Sequence, residues 1–330
     1  MQNTYVSLVV DTLTEPPLCF AIPAFLFGLI LGSFLNVCIS RLPKHESLWK
    51  PRSHCPNCHA TIRWYDNIPL LSWVLLRARC RECKCGISWR YPAVELAMGF
   101  WLLRSREWIW MWRSLAENPY ITKVLGFNPT TIQLSAFTEA AVSAALGFLL
   151  IGLLVMDWQT HTLPDAFTLS GTLIGFVLVC VQAAFLGAHE DEVILHGRNP
   201  LTSPGGVVDK GNVILTGPEH LILGRLFAVV AAACVVLVIR LLYLKLRGRE
   251  GMGLGDAKLM AMLAAFLGFW PAMLAFFVGI VLCSGYAVTL LARRRASALS
   301  RLPLGTFLCL GGLFAALFGP QVIAWYSGLL

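Results

Sequence analysis

The feature that most constrains this chain is a succession of apolar runs whose lengths match the roughly 20 helical residues that a bilayer core of about 30 Å requires. Runs at 18–39, 134–156, 166–186 and 221–244 each fit one crossing. Another begins at 92–103, its far end blurred by Arg104, Arg106 and Glu107 ahead of an interfacial, Trp-rich 108–112. The stretch 257–292 is too long for one crossing, and Gly268-Phe269-Trp270-Pro271 is the place to fold it into two. A last run spans 302–325, which makes eight. With 57% hydrophobic and 13% charged residues, the chain reads as an all-α polytopic membrane protein and not as a soluble enzyme.

A formal charge of +8 would suit a nucleic-acid binder, but it would equally suit a membrane protein with basic cytoplasmic loops. Its distribution favours the second. Residues 1–17 hold no Lys or Arg and carry Asp11 and Glu15, whereas 41–90 is dense in basic residues. The first run is too long, and lacks the basic start, for a cleavable signal peptide. Threading eight spans from an outer N-terminus puts 41–90, 245–249 and Arg293-Arg294-Arg295 inside. The loop 187–220, with Glu190, Asp191 and Glu192, falls outside. Nucleic acid is not an expected partner; the lipid bilayer is. The expected segments are 1–40 (N-terminal segment and first span), 41–91 (a small polar domain), 92–133 (second span and an outer insertion) and 134–330 (the remaining spans).

The same threading brings Asp157, at the end of the third span, and Asp256, at the start of the sixth, to one membrane surface. Ionisable groups at the edge of an apolar span are costly and are functional candidates for that reason. Asp256 closes a glycine turn, Gly251-Met252-Gly253-Leu254-Gly255-Asp256-Ala257-Lys258. Gly253 and Gly255 would let an extended peptide lie close to the carboxylate. Two neighbouring carboxylates cannot both ionise readily, so one keeps its proton while the other acts as base on water, and together they can hydrolyse an amide. The plainer readings are that Asp256 caps a helix and that Asp157 ends a span at the headgroups. Asp165, after Leu163-Pro164, competes for the role of Asp157.

Of eleven cysteines, Cys55-Pro56-Asn57-Cys58 and Cys80-Arg81-Glu82-Cys83 form two CxxC pairs separated by twenty-one residues, the spacing of a four-thiolate zinc ribbon. A pair of disulfides is the alternative, which a reducing cytoplasmic side disfavours. Cys85, His54 and His59 could also enter the ligand set. Cys19, Cys38, Cys180, Cys234, Cys283 and Cys309 lie in or beside apolar runs as small fillers.

These residues resemble a family, the type IV prepilin peptidases: bifunctional GxGD-type aspartic peptidases and N-methyltransferases of bacterial inner membranes. The matching stretches run from about residue 28 to 312. Gly32-Ser33-Phe34-Leu35-Asn36-Val37 with Arg41-Leu42-Pro43 is similar to the family's opening motif. Asp66-Asn67-Ile68-Pro69-Leu70-Leu71-Ser72 and Arg90-Tyr91-Pro92-Ala93-Val94-Glu95 resemble the ribbon core and the second-span start. Asp157 followed by Pro164-Asp165, the glycine turn with Asp256 and Lys258, and Leu302-Pro303-Leu304-Gly305 are similar to the remaining motifs.

The resemblance implies a catalytic pair of Asp157 and Asp256, with Asp165, Lys258, Gly253 and Gly255 in support. It implies a cytoplasmic methyltransferase domain at 41–91 using S-adenosylmethionine, with Asn36 and Glu95 as candidate polar contacts or as structural hydrogen-bonding groups. No Rossmann glycine fingerprint supports a methyl-donor site independently. Expected substrates are prepilins and pseudopilins, whose basic leader would be removed at the cytoplasmic face before the new amine is methylated. A peptidase without methyltransferase activity, or a transporter with a zinc regulatory module, are the alternatives. The chain departs from the family pattern in its insertions 104–131 and 187–220, and at Ala78, where the family commonly has glycine.

Overall fold

In the computed structural model, the described residues are 18–44, 46–48, 50, 52–104, 129–188, 218–248, 252–293 and 302–328. The N-terminal Asp11 and Glu15, nearly all of the 104–131 insertion, most of the 187–220 loop, Gly251 and the arginines Arg294 and Arg295 lie outside them. Among the described residues the chain is helical and without β-strands. Its helices are α1 (Leu18–Arg41), a short α2 (Leu71–Leu75), α3 (Arg90–Arg104), α4 (Pro129–Thr160), α5 (Asp165–Ala188), α6 (Pro218–Arg247), α7 (Leu254–Leu267), α8 (Phe269–Ala292) and α9 (Leu304–Ser327).

The 257–292 stretch breaks where the sequence suggests. Gly268 takes φ +89°, outside helical space and easy only for glycine, and it separates α7 from α8 by a single residue. Among the described residues, five segments are long and apolar enough to cross a membrane: Ala21–Lys44, Ala140–Thr160, Ile222–Arg247, Phe269–Ala292 and Leu304–Ile323. Asp165–Val181 is a shorter apolar helix, and α3 and α7 have only 15 and 14 residues. The chain is thus a multi-pass membrane protein, with five candidate crossings where eight are expected from the sequence.

The chain divides into two compact units, Met1–Val37 with Trp49–Ala144, and Cys38–Leu48 with Ala145–Leu330. In the first, α1 and α3 cross closely over small residues. A Cβ on Gly28 would stand 2.6 Å from the Met98 carbonyl oxygen, and one on Gly32 2.6 Å from the Glu95 Cα. Lipid tails are as apolar as leucine, so such close backbone approach, and not hydrophobic burial, holds helices together in a membrane. Trp101 adds an indole hydrogen bond to the Ser143 carbonyl at 2.9 Å.

In the second unit α7 is the central helix. It packs against α5, α6, α8 and α9, and its buried residues include Leu259, Met260, Met262, Leu263 and Phe266. Gly171 and Gly175 of α5 admit the side chains of Met262 and Phe266. α8 and α9 pack through Gly279 and Gly311, where a side chain would strike Phe307, Leu308 and Ala275. At the end of α7, Arg225 of α6 donates to the Phe266 carbonyl at 3.2 Å, satisfying an orphan carbonyl of the helix terminus.

A buried aspartate pair and a four-thiol cluster

Asp157 lies just beyond the apolar run, yet three residues inside the end of its helix. α4 continues to Thr160, whose hydroxyl donates to the Met156 carbonyl at 2.8 Å, so Asp157 sits in the last turn and is 5% exposed. Asp256 is the third residue of α7 and is 7% exposed. Its Oδ2 accepts the Gly253 amide at 3.0 Å, reaching back over the helix start as a capping-box carboxylate does. The capping role is therefore real, but an exposed cap would have no reason to be buried. The two carboxylates lie within electrostatic range of each other and of Cys283 and Cys309. Those cysteines, read from sequence as fillers, are buried near the pair.

What holds Asp157 comes from the far end of the chain. Its Oδ2 accepts two hydrogen bonds from Thr306, the third residue of α9: one from the backbone amide at 2.6 Å and one from the hydroxyl at 2.9 Å. Gly305 permits this approach, since a Cβ there would lie 3.0 Å from the Asp157 Cγ. Leu163 fits the space left by two glycines, standing 3.2 Å from a Cβ built on Gly255 and 3.0 Å from one on Gly305. Gly255 is therefore closed off by Leu163, whereas a Cβ on Gly253 would meet nothing nearer than Asp256 Oδ2 at 3.6 Å. Of these two glycines, Gly253 keeps the open backbone expected of the turn. Thr306 and Leu163 were not singled out from the sequence; the helix start after Leu302-Pro303 was the available signal, because the amides of a first turn bind anions.

Asp165 stands apart from this pair. It begins α5 with its side chain 61% exposed, bound to the Lys258 Nζ at 2.6 Å. Its ammonium partner and its exposure set it apart from the two buried carboxylates.

The four thiols converge by a local repeat. In the first knuckle His54 bridges to Thr61, the Cys55 amide donates to the Ala60 carbonyl and the His59 amide to the Cys55 carbonyl. In the second, Arg79 bridges to Gly86, the Cys80 amide donates to the Cys85 carbonyl and the Lys84 amide to the Cys80 carbonyl. The repeat extends to the backbone, with His59 at φ 57° and Lys84 at φ 59°. The Sγ atoms of Cys55, Cys58, Cys80 and Cys83 lie within 4.8 Å of one another, and Cys55 is 3.8 Å from Cys83. Tetrahedral bonds of about 2.3 Å place sulfurs about 3.8 Å apart, so the cluster fits Zn2+.

Two of the four donors are poised as thiolates, while at Cys58 the lowering by the Ala60 amide is outweighed by desolvation and by neighbouring thiols, which push it up to about 11. The Cys85 amide and the Asn57 side chain hold the Cys83 thiol down to about 6, and the Cys58 and Asn57 amides lower that of Cys55. A metal binds thiolate, and these amides stabilise it. Cys85 occupies the position of Ala60 in the repeat and lies 3.5 Å from Cys55 Sγ, a fifth thiol beside the cluster. His54 and His59 are not among its members.

Between the knuckles, Asp66 is clamped by Arg81 through two hydrogen bonds, of 2.9 and 2.5 Å, which hold its carboxyl below the usual range. Ala78 adopts φ 56°, the left-handed conformation that glycine takes without strain. The Leu70 amide donates to Glu95 Oε2 at 2.8 Å and so ties this segment to α3. Asn36 Nδ2 donates to the Tyr91 carbonyl at 3.0 Å, while its Oδ1 is buried without a hydrogen-bond partner. Glu95 is thus engaged in structure, and Asn36 keeps one acceptor in reserve.

Membrane-length helices, a buried pair of aspartates and a four-thiol cluster able to hold a metal ion define a class: multi-pass membrane proteins that carry a small cysteine-rich domain. Residues 26–106 match the family model for the bacterial peptidase A24 N-terminal domain, and residues 211–288 that of the type IV leader peptidase family. A prepilin leader peptidase/N-methyltransferase of Burkholderia pseudomallei strain 1026b is 31% identical over 90% of this chain and 84% of its own. Those of Aeromonas hydrophila and Stutzerimonas stutzeri are 30% identical over 92% of both chains, and 28% identical over 96% of this chain and 97% of the relative. The chain belongs to the prepilin leader peptidase/N-methyltransferase family. No solved structure matches it.

Proposed function

We propose that the protein is an inner-membrane aspartic peptidase of the GxGD type that removes the leader of prepilins and pseudopilins at the cytoplasmic face and then methylates the new N-terminal amine. The observation that carries this reading is the burial of Asp157 and Asp256, from helices about a hundred residues apart in sequence, within electrostatic range of each other. Burying two carboxylates side by side costs several kcal/mol, a cost that a shared proton relieves and that catalysis makes useful.

In the hydrolysis, the ionised carboxylate takes a proton from water as the water oxygen bonds to the scissile carbonyl carbon. The protonated partner donates to the carbonyl oxygen. As the carbon–nitrogen bond breaks, the nitrogen takes the proton that the first carboxylate drew from water, and a hydroxyl proton of the intermediate returns to the second carboxylate. A carboxylic acid and a free amine leave. Gly253, open beside Asp256, gives the extended substrate backbone room. Lys258 neutralises Asp165 at the rim of the site.

Cys55, Cys58, Cys80 and Cys83 would hold Zn2+ in a structural role, fixing the knuckles that carry the segment from Asp66 to Ser72 against Glu95. S-adenosylmethionine would supply the methyl group, and Asn36 Oδ1 offers it a buried acceptor with no competing partner. The family name of the relatives supports both activities. The test is to incubate the purified protein with a prepilin, with and without S-adenosylmethionine, and weigh the product. Loss of the leader mass in both samples, with one added methyl only in the second, is expected; an unchanged prepilin in both would overturn the reading.

A further inference from the structure

We infer that Thr306 is the residue that commits Asp157 to the role of base, by orienting its carboxylate with the side-chain hydroxyl. The inference rests on the proposed peptidase site. Both bonds from Thr306 fall on the same oxygen, Asp157 Oδ2, at 2.6 Å from the amide and 2.9 Å from the hydroxyl. The amide can only donate, so Oδ2 is fixed as an acceptor. Thr306 is 4% exposed and Asp157 5%, so water does not compete for these bonds. With Oδ2 engaged twice, the carboxyl plane is set and Oδ1 is the oxygen left to take the proton from water.

Asp256 is held differently. Among the described residues, its carboxylate accepts one hydrogen bond, from the Gly253 amide of its own turn at 3.0 Å. The unequal support divides the labour of the pair: Asp157 is braced as the anion, and Asp256 is the partner that carries the proton. Acid–base pairs separate their roles by such differences in environment.

The hydroxyl has a second acceptor within reach, the Leu154 carbonyl at 3.4 Å in the turn before Asp157. When Asp157 has accepted its proton on Oδ1, it attracts the hydroxyl less, and the O–H can rotate toward Leu154. Both acceptors lie on α4, so Thr306 spans the last turn of that helix whichever one it bonds.

The variants Thr306→Val and Thr306→Ser separate this role from packing. Valine keeps the shape and the backbone amide but lacks the hydroxyl; serine keeps the hydroxyl and lacks the methyl. Steady-state cleavage of a prepilin is measured for both beside Asp157→Asn, with thermal unfolding in detergent as the check on folding. We expect kcat to fall about 10- to 100-fold for Thr306→Val, the effect of losing one hydrogen bond to a charged group, with KM within about twofold. Thr306→Ser should keep kcat within about threefold. Wild-type kcat in a folded Thr306→Val, or equal losses in Val and Ser, would overturn the inference. Cleavage by Asp157→Asn would instead overturn the peptidase site, so the two failures are distinct.

Discussion

Replacing Asp157 or Asp256 by Asn preserves side-chain size and hydrogen-bonding reach but removes the capacity to exchange a proton at working pH. Each variant should lose leader cleavage by at least about a thousandfold while still inserting and folding, as cleavage rates and thermal unfolding would read. Asp165→Asn should keep most activity, because that carboxylate is exposed and paired with Lys258. An inactive Asp165 variant beside an active Asp157 variant would reverse the assignment. Both buried aspartates were legible in the sequence because an ionisable residue at the edge of an apolar run stands out by cost alone. Thr306, Gly305 and Leu163 were not, since each matters through a neighbour more than a hundred, or nearly a hundred, positions away, and nothing in a threonine or leucine beside a span announces such a contact.

The ribbon is the element whose strain can be tested. Ala78 at φ 56° pays about 1 kcal/mol relative to glycine for its left-handed backbone. Ala78→Gly should relieve that strain where it is stored, slowing metal release to a competing chelator. The replacement also loosens the unfolded chain, so little or no change in overall stability accompanies it. Purified protein should contain about one zinc per chain by elemental analysis. Replacing Cys55 and Cys80 together should abolish it, because one ligand is lost from each knuckle. The CxxC spacing was enough to foresee the four thiols. It could not reveal that the knuckles repeat down to hydrogen bonds and left-handed residues, because His59 and Lys84 share no side-chain chemistry and are equivalent only in backbone.

Across the whole molecule, the ribbon and the aspartates fall in different compact units, and the two proposed activities should fail separately. Asp256→Asn should not process a full-length prepilin, yet it should still methylate a pilin already trimmed of its leader. Replacing Cys58 and Cys83 should do the reverse, lowering methyl incorporation more than cleavage. Coupled loss of both activities in either variant would show one interdependent site. Helix positions were largely readable, as was the break at Gly268, because apolar length and a Gly-Phe-Trp-Pro sequence are local signals. The number of crossings was less so, since length limits apply to helices facing lipid and α7 is enclosed by protein. That enclosure has a mechanical consequence. At 14 residues α7 rises about 21 Å, some 9 Å short of a typical hydrocarbon core. Packed against α5, α6, α8 and α9, it is spanned by its neighbours and not by lipid, and the shortfall is made up by loop or solvent at one end of the helix. The turn with Asp256 lies at one end, and the other end joins α8 through one residue. Non-helical backbone at membrane depth is tolerated only where protein or water surrounds it, so a hydrolytic site at such an end would have at hand the water that its reaction consumes.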